Sequence, residues 1–444
     1  MLRDTTLTDV QTLARHPARI VAALYLGFAL LFFAAAATRG VARGRLIAGD
    51  ALFYYAYLPS LVVDHDVDLT NDLETLRGSS PTPLKWSPTT TGKASSPFAV
   101  GSAILALPFF LIGLGADALF AGRSDGYGWF AQGSVCLAGM SYAALGTVLG
   151  IRLLRRWHDD AIALVASLAT VLATPLVYYW LVSPAYAHAA SFFAVTAFLS
   201  VWLAHREALA QRGALWLGLS AGVMTLVRWQ DVLFVLVPAV ALLARLARAS
   251  ASGAERRRVL AFIATTAVAA GIAFLPQMWV WHEIYGKWLT VPQGDTWVRW
   301  TRPDLLAALA SLDAGGLFTW TPLTLVGILG LGMFRRAEPM LALGLALAFA
   351  AEIYVEGTVH HGLGSAYGCR RLIGATAIFA IGFATVLERV RTRRGWRAAL
   401  AASALLVGWN GLLLTEYQWL AHRPGRHGPY PTLRELIQHT PFRG

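Results

Sequence analysis

Residues 18–38 read ARIVAALYLGFALLFFAAAAT, with one charged side chain, Arg19, at the start and none after it. A helix of about 20 apolar residues covers the roughly 30 Å of a bilayer's hydrocarbon and satisfies its own backbone hydrogen bonds there. The run is long enough to span and has no small-residue cleavage site, so it reads as an anchor and not as a removed leader. Comparable runs follow at about 97–119, 129–151, 160–181, 186–204, 214–228, 231–247, 258–280, 317–334, 339–356, 371–389 and 397–415. The expectation is an all-α polytopic transmembrane helical bundle of about 11 to 12 spans. It forms one membrane domain over residues 1–415, with polar excursions at 39–96 and 281–316 and a short tail at 416–444. Composition agrees: 56% of the 444 residues are hydrophobic and 14% charged, against about 25% charged in soluble domains.

The formal net charge of +12 does not point to nucleic acid, because the arginines gather at the ends of apolar runs, where topology and headgroups require cations. Five arginine-rich stretches, Arg152 to Arg156, Arg206/Arg212, Arg245 to Arg258, Arg335/Arg336 and Arg389 to Arg397, alternate with the turns near 182–186, 228–231, 281–316 and 357–370. The first set reads as cytoplasmic and the second as periplasmic. Arg3, Arg15 and Arg19 also place the N-terminus inside, which leaves the count one crossing wrong before residue 129. Either 98–119, interrupted by Pro108, is a broken or partial crossing, or Leu46 to Val63 crosses despite Asp50. The first is favoured, since an ionised Asp in mid-bilayer costs about 3 kcal/mol on insertion scales.

The polar residues that could carry chemistry are few. After the first span comes GDALFYYAYLPSLVVDHDVDLTND, residues 49–72. A helix starting at Asp50 would lie in the interface, with Tyr54, Tyr57 and Leu61 continuing the face of the Asp and Phe53 and Leu58 widening an apolar stripe. Asp50 either caps that helix or serves as a reactive carboxylate. Asp64, Asp66, Asp68 and Asp72 alternate like a calcium loop, but Leu69 and Thr75 occupy the positions of the required Gly and bidentate Glu, which excludes an EF-hand. A solvated acidic turn or a looser divalent-cation site is left. Cys136 and Cys369 have no metal-ligand spacing and no disulfide framework, and adjacent His360 and His361 share no helical face for zinc. Trp281, Trp288, Trp297 and Trp300 suit a membrane-surface belt or sugar stacking, and Pro303 to Leu312 reads as a second interfacial helix.

The opening through residue 72, together with KASSPFAVGSAILALPFFLIG (93–113), resembles the start of the GT-C superfamily of polytopic membrane glycosyltransferases. SPAYAHAASFF (183–193), GLSAGVMTLVRWQD (218–231) and SAYGCRRLIGATAIFAIGFA (365–384) are similar to segments of its bacterial mannosyltransferase-like branch. The resemblance implies sugar transfer from a polyprenyl-phosphate donor to an acceptor at the periplasmic face of the bacterial inner membrane, with membrane lipids as partners and no nucleic acid. Asp50 matches the acidic residue of the first loop and is the implied catalytic base. Asp64 and Asp66 are the next carboxylates. Where many relatives carry a second acidic residue, Ser183 stands, with His188 nearby. Lys93, Arg228, Arg370 and Arg371 are the candidates to hold the leaving phosphate, and a divalent cation is compatible with that chemistry. Two other readings stay open: a transporter or lipid flippase using Arg228, Glu352 and Glu356 as pathway residues, and a non-catalytic envelope assembly factor, which the Ser183 departure favours.

Overall fold

The computed structural model describes residues 5–39, 46–77, 85–248, 253–293, 298–313, 315–359, 366–421 and 431–439. Trp297, His360, His361 and Gly362 to Ser365 lie outside them. The helices are α1 (Thr5–Ala14), α2 (Pro17–Arg39), α3 (Ala51–Pro59), α4 (Thr70–Arg77), α5 (Gly101–Ala121), α6 (Trp129–Leu154), α7 (Asp160–Leu172), α8 (Leu176–Leu181), α9 (Ala187–His205), α10 (Gln211–Val227), α11 (Leu236–Arg248) and α12 (Gly253–Tyr285). After these come α13 (Leu305–Ala310), α14 (Leu317–Trp320), α15 (Pro322–Phe334), α16 (Pro339–Thr358), α17 (Thr376–Arg389), α18 (Arg393–Ala421) and α19 (Leu433–His439). Among the described residues nine helices are long and apolar enough to cross a membrane, fewer than the sequence suggests. Three expected spans are not single long helices, the 214–228 run forming only the 17-residue α10. Residues 160–181 divide into α7 and α8, and 317–334 into α14 and α15.

The five arginine-rich stretches meet at one end of the bundle. Arg156 donates to the Leu203 carbonyl at 2.9 Å, Arg245 to the Arg206 carbonyl at 2.8 Å and Arg206 to Glu338 at 2.7 Å. Arg391 pairs with Asp159, and Arg155 reaches the last turn of α1 through the Ala14 carbonyl at 2.7 Å. A loop carbonyl that finds no partner in a helix ladder is satisfied here by a guanidinium. Helices that leave this end therefore share one direction, which fixes the sense of the others.

The missing crossing is α5. Its first residue packs on the backbone of Leu226 and Val227, at the far end of α10. From there it climbs antiparallel to α6: Tyr142 donates to the Leu105 carbonyl at 2.8 Å, and Phe130 and Ala131 amides donate to Asp117 at 3.1 and 2.8 Å. The start of α6 lies beside the end of α2, where Gly133 faces Phe33. Thus α5 runs along the outer half of α6 and never reaches the arginine-rich end. Pro108 does not break it. Among the described residues eleven segments besides α5 run between the two ends of the bundle: α2, α6, α7 with α8, α9, α10, the 229–248 segment, α12, α14 with α15, α16, the 370–389 segment and α18. This count puts α1 and α19 at opposite ends.

Between α2 and α6 the chain therefore makes a double excursion whose two low points, Gly49-Asp50 and Pro97 to Gly101, sit at the mouth of the bundle. The helix expected at Asp50 forms as α3, but it does not lie on a surface: all nine of its residues are buried. Tyr57 donates to the Phe98 carbonyl at 3.1 Å and Tyr55 to the Gly126 carbonyl at 2.5 Å, so buried hydroxyls are paired. The second expected interfacial helix forms as α13, capped by Asp304, which accepts from the Ala307 amide at 2.9 Å.

Small residues set the closest helix pairs. Gly218 and Gly222, four apart on α10, face Ala269, Ala273 and the Thr266 and Ala270 carbonyls of α12, and any Cβ there would separate the helices. Gly327 and Gly330 of α15 meet Phe379 and Gly382 of α17 in the same way. These contacts fix the ends of α10 and α17, from which the cationic residues project.

With Ser124→Cys, Thr290→Cys, Ala210→Cys and Ala337→Cys introduced singly, an impermeant thiol reagent should label 124 and 290 from one face and 210 and 337 from the other. Labelling of 124 together with 337 would restore α5 as a crossing. The carboxylate of Asp72 is buried, with Oδ1 accepting from Tyr127 at 2.7 Å. Burial pushes Asp72 up to about 7, against a smaller lowering by the Tyr127 hydrogen bond. An unfolded Asp titrates near roughly 4, so between those values the folded state binds the extra proton and stability falls as pH rises, levelling off above about 7. Asp72→Asn keeps an acceptor for Tyr127 without the charge, so its melting advantage over the wild type should widen from pH 5 to pH 8. Equal differences at both pH values would mean that Asp72 ionises as an ordinary carboxyl.

Candidate functional site

Three interruptions of helix meet at the mouth of the bundle. Arg228 leaves α10 in an extended conformation (φ −147°, ψ 116°) before a 3-10 turn, Trp229–Val235. Arg370 and Arg371 open another 3-10 turn, Arg370–Ala375, ahead of α17. Gly49, with φ +64°, turns the chain into α3; it has no room for a Cβ against the Tyr186 hydroxyl. Each break points polar groups inward where an uninterrupted helix would present apolar ones.

They enclose a cavity of about 480 Å³ whose wall includes Asp50, Tyr54, His188, Arg228, Gln230, Arg370 and Arg371. Asp50 stands at the N-terminus of α3 but its side chain caps nothing there; instead Oδ2 accepts from Arg370 Nη2 at 2.7 Å. Its backbone N–H donates to the Tyr186 hydroxyl at 3.2 Å. The Arg370 guanidinium lies over the Tyr186 ring, 5.7 Å from its centroid, a cation–π arrangement that holds both groups. Tyr54, pushed well above the ordinary phenol range by burial, stays a neutral donor on the same wall. His188, in the first turn of α9, is buried against the Tyr179 ring at 4.3 Å.

Behind the wall the cations are tied to one another and to carboxylates. Arg228 Nη1 and Gln230 Nε2 both donate to the Arg371 carbonyl, at 3.0 and 2.9 Å. Gln230 also donates to Glu352 Oε2 at 3.0 Å, and Arg371 pairs with Glu356 at 3.1 Å. Ser191 donates to Asp231 Oδ2 at 2.6 Å. A buried charge is tolerated when it is paired and hydrogen-bonded. This network therefore lets three arginines face one cavity. Of the two groups that a transport reading would use along a pathway, Glu356 is the counter-ion of Arg371 and Glu352 accepts a hydrogen bond from Gln230.

Of the candidates from sequence, Asp50, His188, Arg228, Arg370 and Arg371 are brought together, and Lys93, Asp64 and Asp66 are not. Lys93 pairs with Glu283 at 3.0 Å, in a short hairpin whose Thr90 and Thr91 hydroxyls donate to the Tyr285 and Ile284 carbonyls at 3.1 and 2.7 Å. That hairpin fastens the C-terminal end of α12 and satisfies carbonyls that the helix leaves open. Lys85 lines the cavity instead. Asp64 accepts from Asn71 at 2.7 Å and Asp66 from Ser60 and the Asp68 amide at 2.9 and 3.0 Å, so this acidic run closes on itself as a turn. Among the described residues no group of three or more His, Cys, Asp or Glu side chains could hold a metal ion. Sequence reading missed Lys85, Gln230, Asp231 and Tyr186. Gln230 and Asp231 were detectable as a second polar pair directly after Arg228 in an apolar run.

No protein-family model matches the chain, and no curated protein sequence matches it. Among solved structures it is similar to ArnT from Cupriavidus metallidurans bound to undecaprenyl phosphate, with a TM-score of 0.57 and 16% identity over 91% of this chain and 66% of that one. The apo form of the same ArnT gives a TM-score of 0.54 at 15% identity, again over 91% of this chain and 66% of the other. The chain thus spans a little under two thirds of the length of the protein it resembles. Those structures have the architecture that the opening loop and the segments around Ser183, Arg228 and Arg370 suggested. This multi-pass membrane chain has the fold of the GT-C superfamily of glycosyltransferases.

Proposed function

We propose that the protein is an inverting glycosyltransferase. It moves a sugar from a polyprenyl-phosphate donor to an acceptor, at the periplasmic face of the bacterial inner membrane. The observation that carries this reading is the convergence of one carboxylate, Asp50, and three guanidinium groups, Arg228, Arg370 and Arg371, on one cavity of a GT-C fold. Transfer needs a base at the acceptor and positive charge at the leaving phosphate. An acceptor hydroxyl or amine gives its proton to Asp50 as its lone pair attacks the anomeric carbon. The bond from that carbon to the phosphate oxygen breaks, and the electron pair leaves with the lipid phosphate, whose growing charge the arginines stabilise. Arg228, buried and held by the Arg371 carbonyl, is pre-oriented, so little ordering cost is left for binding. ArnT supports the class of donor, since that protein was solved with undecaprenyl phosphate.

A transport reading is disfavoured by the position of the cavity, at the ends of α10 and α9 and not halfway along them.

Asp50→Asn retains a hydrogen-bonding side chain for Arg370 but accepts no proton. In cells lacking the gene, mass spectrometry of envelope lipids and glycans should find a sugar modification missing. The wild-type gene should restore it, and Asp50→Asn, present in membranes at the normal level, should lower transfer by at least about 100-fold. Restoration by Asp50→Asn would remove the base, and an unchanged envelope on deletion would contradict glycosyl transfer. For the cationic wall, Arg228→Ala should weaken binding of undecaprenyl phosphate by about tenfold or more, and Arg228→Lys should recover only part of it, because an ammonium lacks the planar fork. Unchanged binding by Arg228→Ala would make Arg228 a structural turn residue.

A further inference from the structure

We infer that Arg370 is a latch on Asp50 that the donor's own phosphate opens, so that the base is released only when a donor is in place. The inference rests on the reading of the cavity as a polyprenyl-phosphate site and adds an order of events to it.

Asp50 Oδ2 already accepts a hydrogen bond from Arg370 Nη2 at 2.7 Å, the short distance of a charge-assisted bond. The arrangement is braced from three sides. The Asp50 amide donates to the Tyr186 hydroxyl, Arg370 lies over the Tyr186 ring, and Gly49 fits against that hydroxyl only because it has no Cβ. In this state one oxygen of the carboxylate is engaged by a cation and its negative charge is offset.

The other cations are arranged differently. Arg371 has Glu356 as its counter-ion at 3.1 Å, and Arg228 is anchored by a backbone carbonyl at 3.0 Å. Glu356 is buried, whereas the Asp50 side chain is 31% exposed and faces the cavity. Of the two arginine–carboxylate pairs, the Arg370 pair is therefore the one a ligand in the cavity can reach. The donor's phosphodiester offers two non-bridging acceptor oxygens that share one negative charge and match a guanidinium fork, and it would meet Arg228 at the same time. It competes directly with a single carboxylate oxygen for Arg370. Only hydrogen bonds are exchanged: Arg370 stays protonated, its N–H groups move from carboxylate to phosphate, and Asp50 becomes available to the acceptor. Without a donor the carboxylate stays closed.

Competition has a signature that charge alone does not. If Asp50 must be displaced from Arg370, Asp50→Asn should bind undecaprenyl phosphate in nanodiscs more tightly than the wild type, by about tenfold. Asp50→Asn would also tighten binding by relieving general repulsion between Asp50 and phosphate, so the decisive comparison is made in Arg370→Gln, or in the equally uncharged Arg370→Met if the Gln variant does not purify monodisperse. With the fork gone, Asp50→Asn should no longer tighten binding. The same gain in both backgrounds would reduce the effect to repulsion and overturn the latch. Equal binding by wild type and Asp50→Asn would overturn it while leaving the donor reading intact. Absence of any binding by the wild type would remove the donor reading and the latch together.

Discussion

A buried charge in an apolar bundle persists only if another group answers it, and at the mouth of this bundle that constraint organises everything else. Arg228 and Arg371 are buried or nearly so, and so are Asp231, Glu352 and Glu356. None could be placed there singly at tolerable cost. Each finds a partner through a break in helix: the extended Arg228, the 3-10 turn after it, and the 3-10 turn that begins at Arg370. The Arg371 carbonyl, accepting from both Arg228 and Gln230, is the knot that ties the end of α10 to the start of α17. The close helix pairs made by Gly218, Gly222, Gly330 and Gly382 hold those ends in position.

The consequence is a division of labour between two layers. The deeper layer balances charge and fixes geometry. The outer layer, Asp50 with Arg370 and Tyr186, holds the more exposed carboxylate of the two arginine–carboxylate pairs. Rigid cations behind and an exchangeable pair in front suit a site that must hold a phosphate strongly and still present a carboxylate at the right moment. The first-loop excursion contributes both of its low points to this site, which explains why α5 starts at the mouth and climbs outward instead of crossing.

Much of this was legible in the sequence, for reasons that can be named. That the arginine-rich loops share one end of the bundle was readable because they alternate with apolar runs, and the parity error located itself before residue 129. Asp50 and Arg228 stood out because each interrupts an apolar context where an ionised group is costly. The enclosure of α3 was not legible, since an aromatic stripe with tyrosines reads equally as a membrane interface or as a protein core whose hydroxyls find carbonyls, as those of Tyr55 and Tyr57 do. Lys93 and Lys85 are eight positions apart in the same polar loop, and only the hairpin that pulls Lys93 onto Glu283 separates their roles. Partners such as Gln230 with Glu352, far apart in the chain, come together only through tertiary packing.

The central claim is that one cavity receives a lipid phosphate beside a carboxylate. Photo-crosslinking tests it most directly. A polyprenyl phosphate with a diazirine next to its phosphate, irradiated with the protein in nanodiscs and mapped by peptide mass spectrometry, should attach to cavity-wall residues such as Phe53, Trp229 or Val298. An excess of unmodified undecaprenyl phosphate should displace it. Attachment confined to lipid-facing positions such as Leu30, Leu243 or Leu405, undiminished by competitor, would contradict the account.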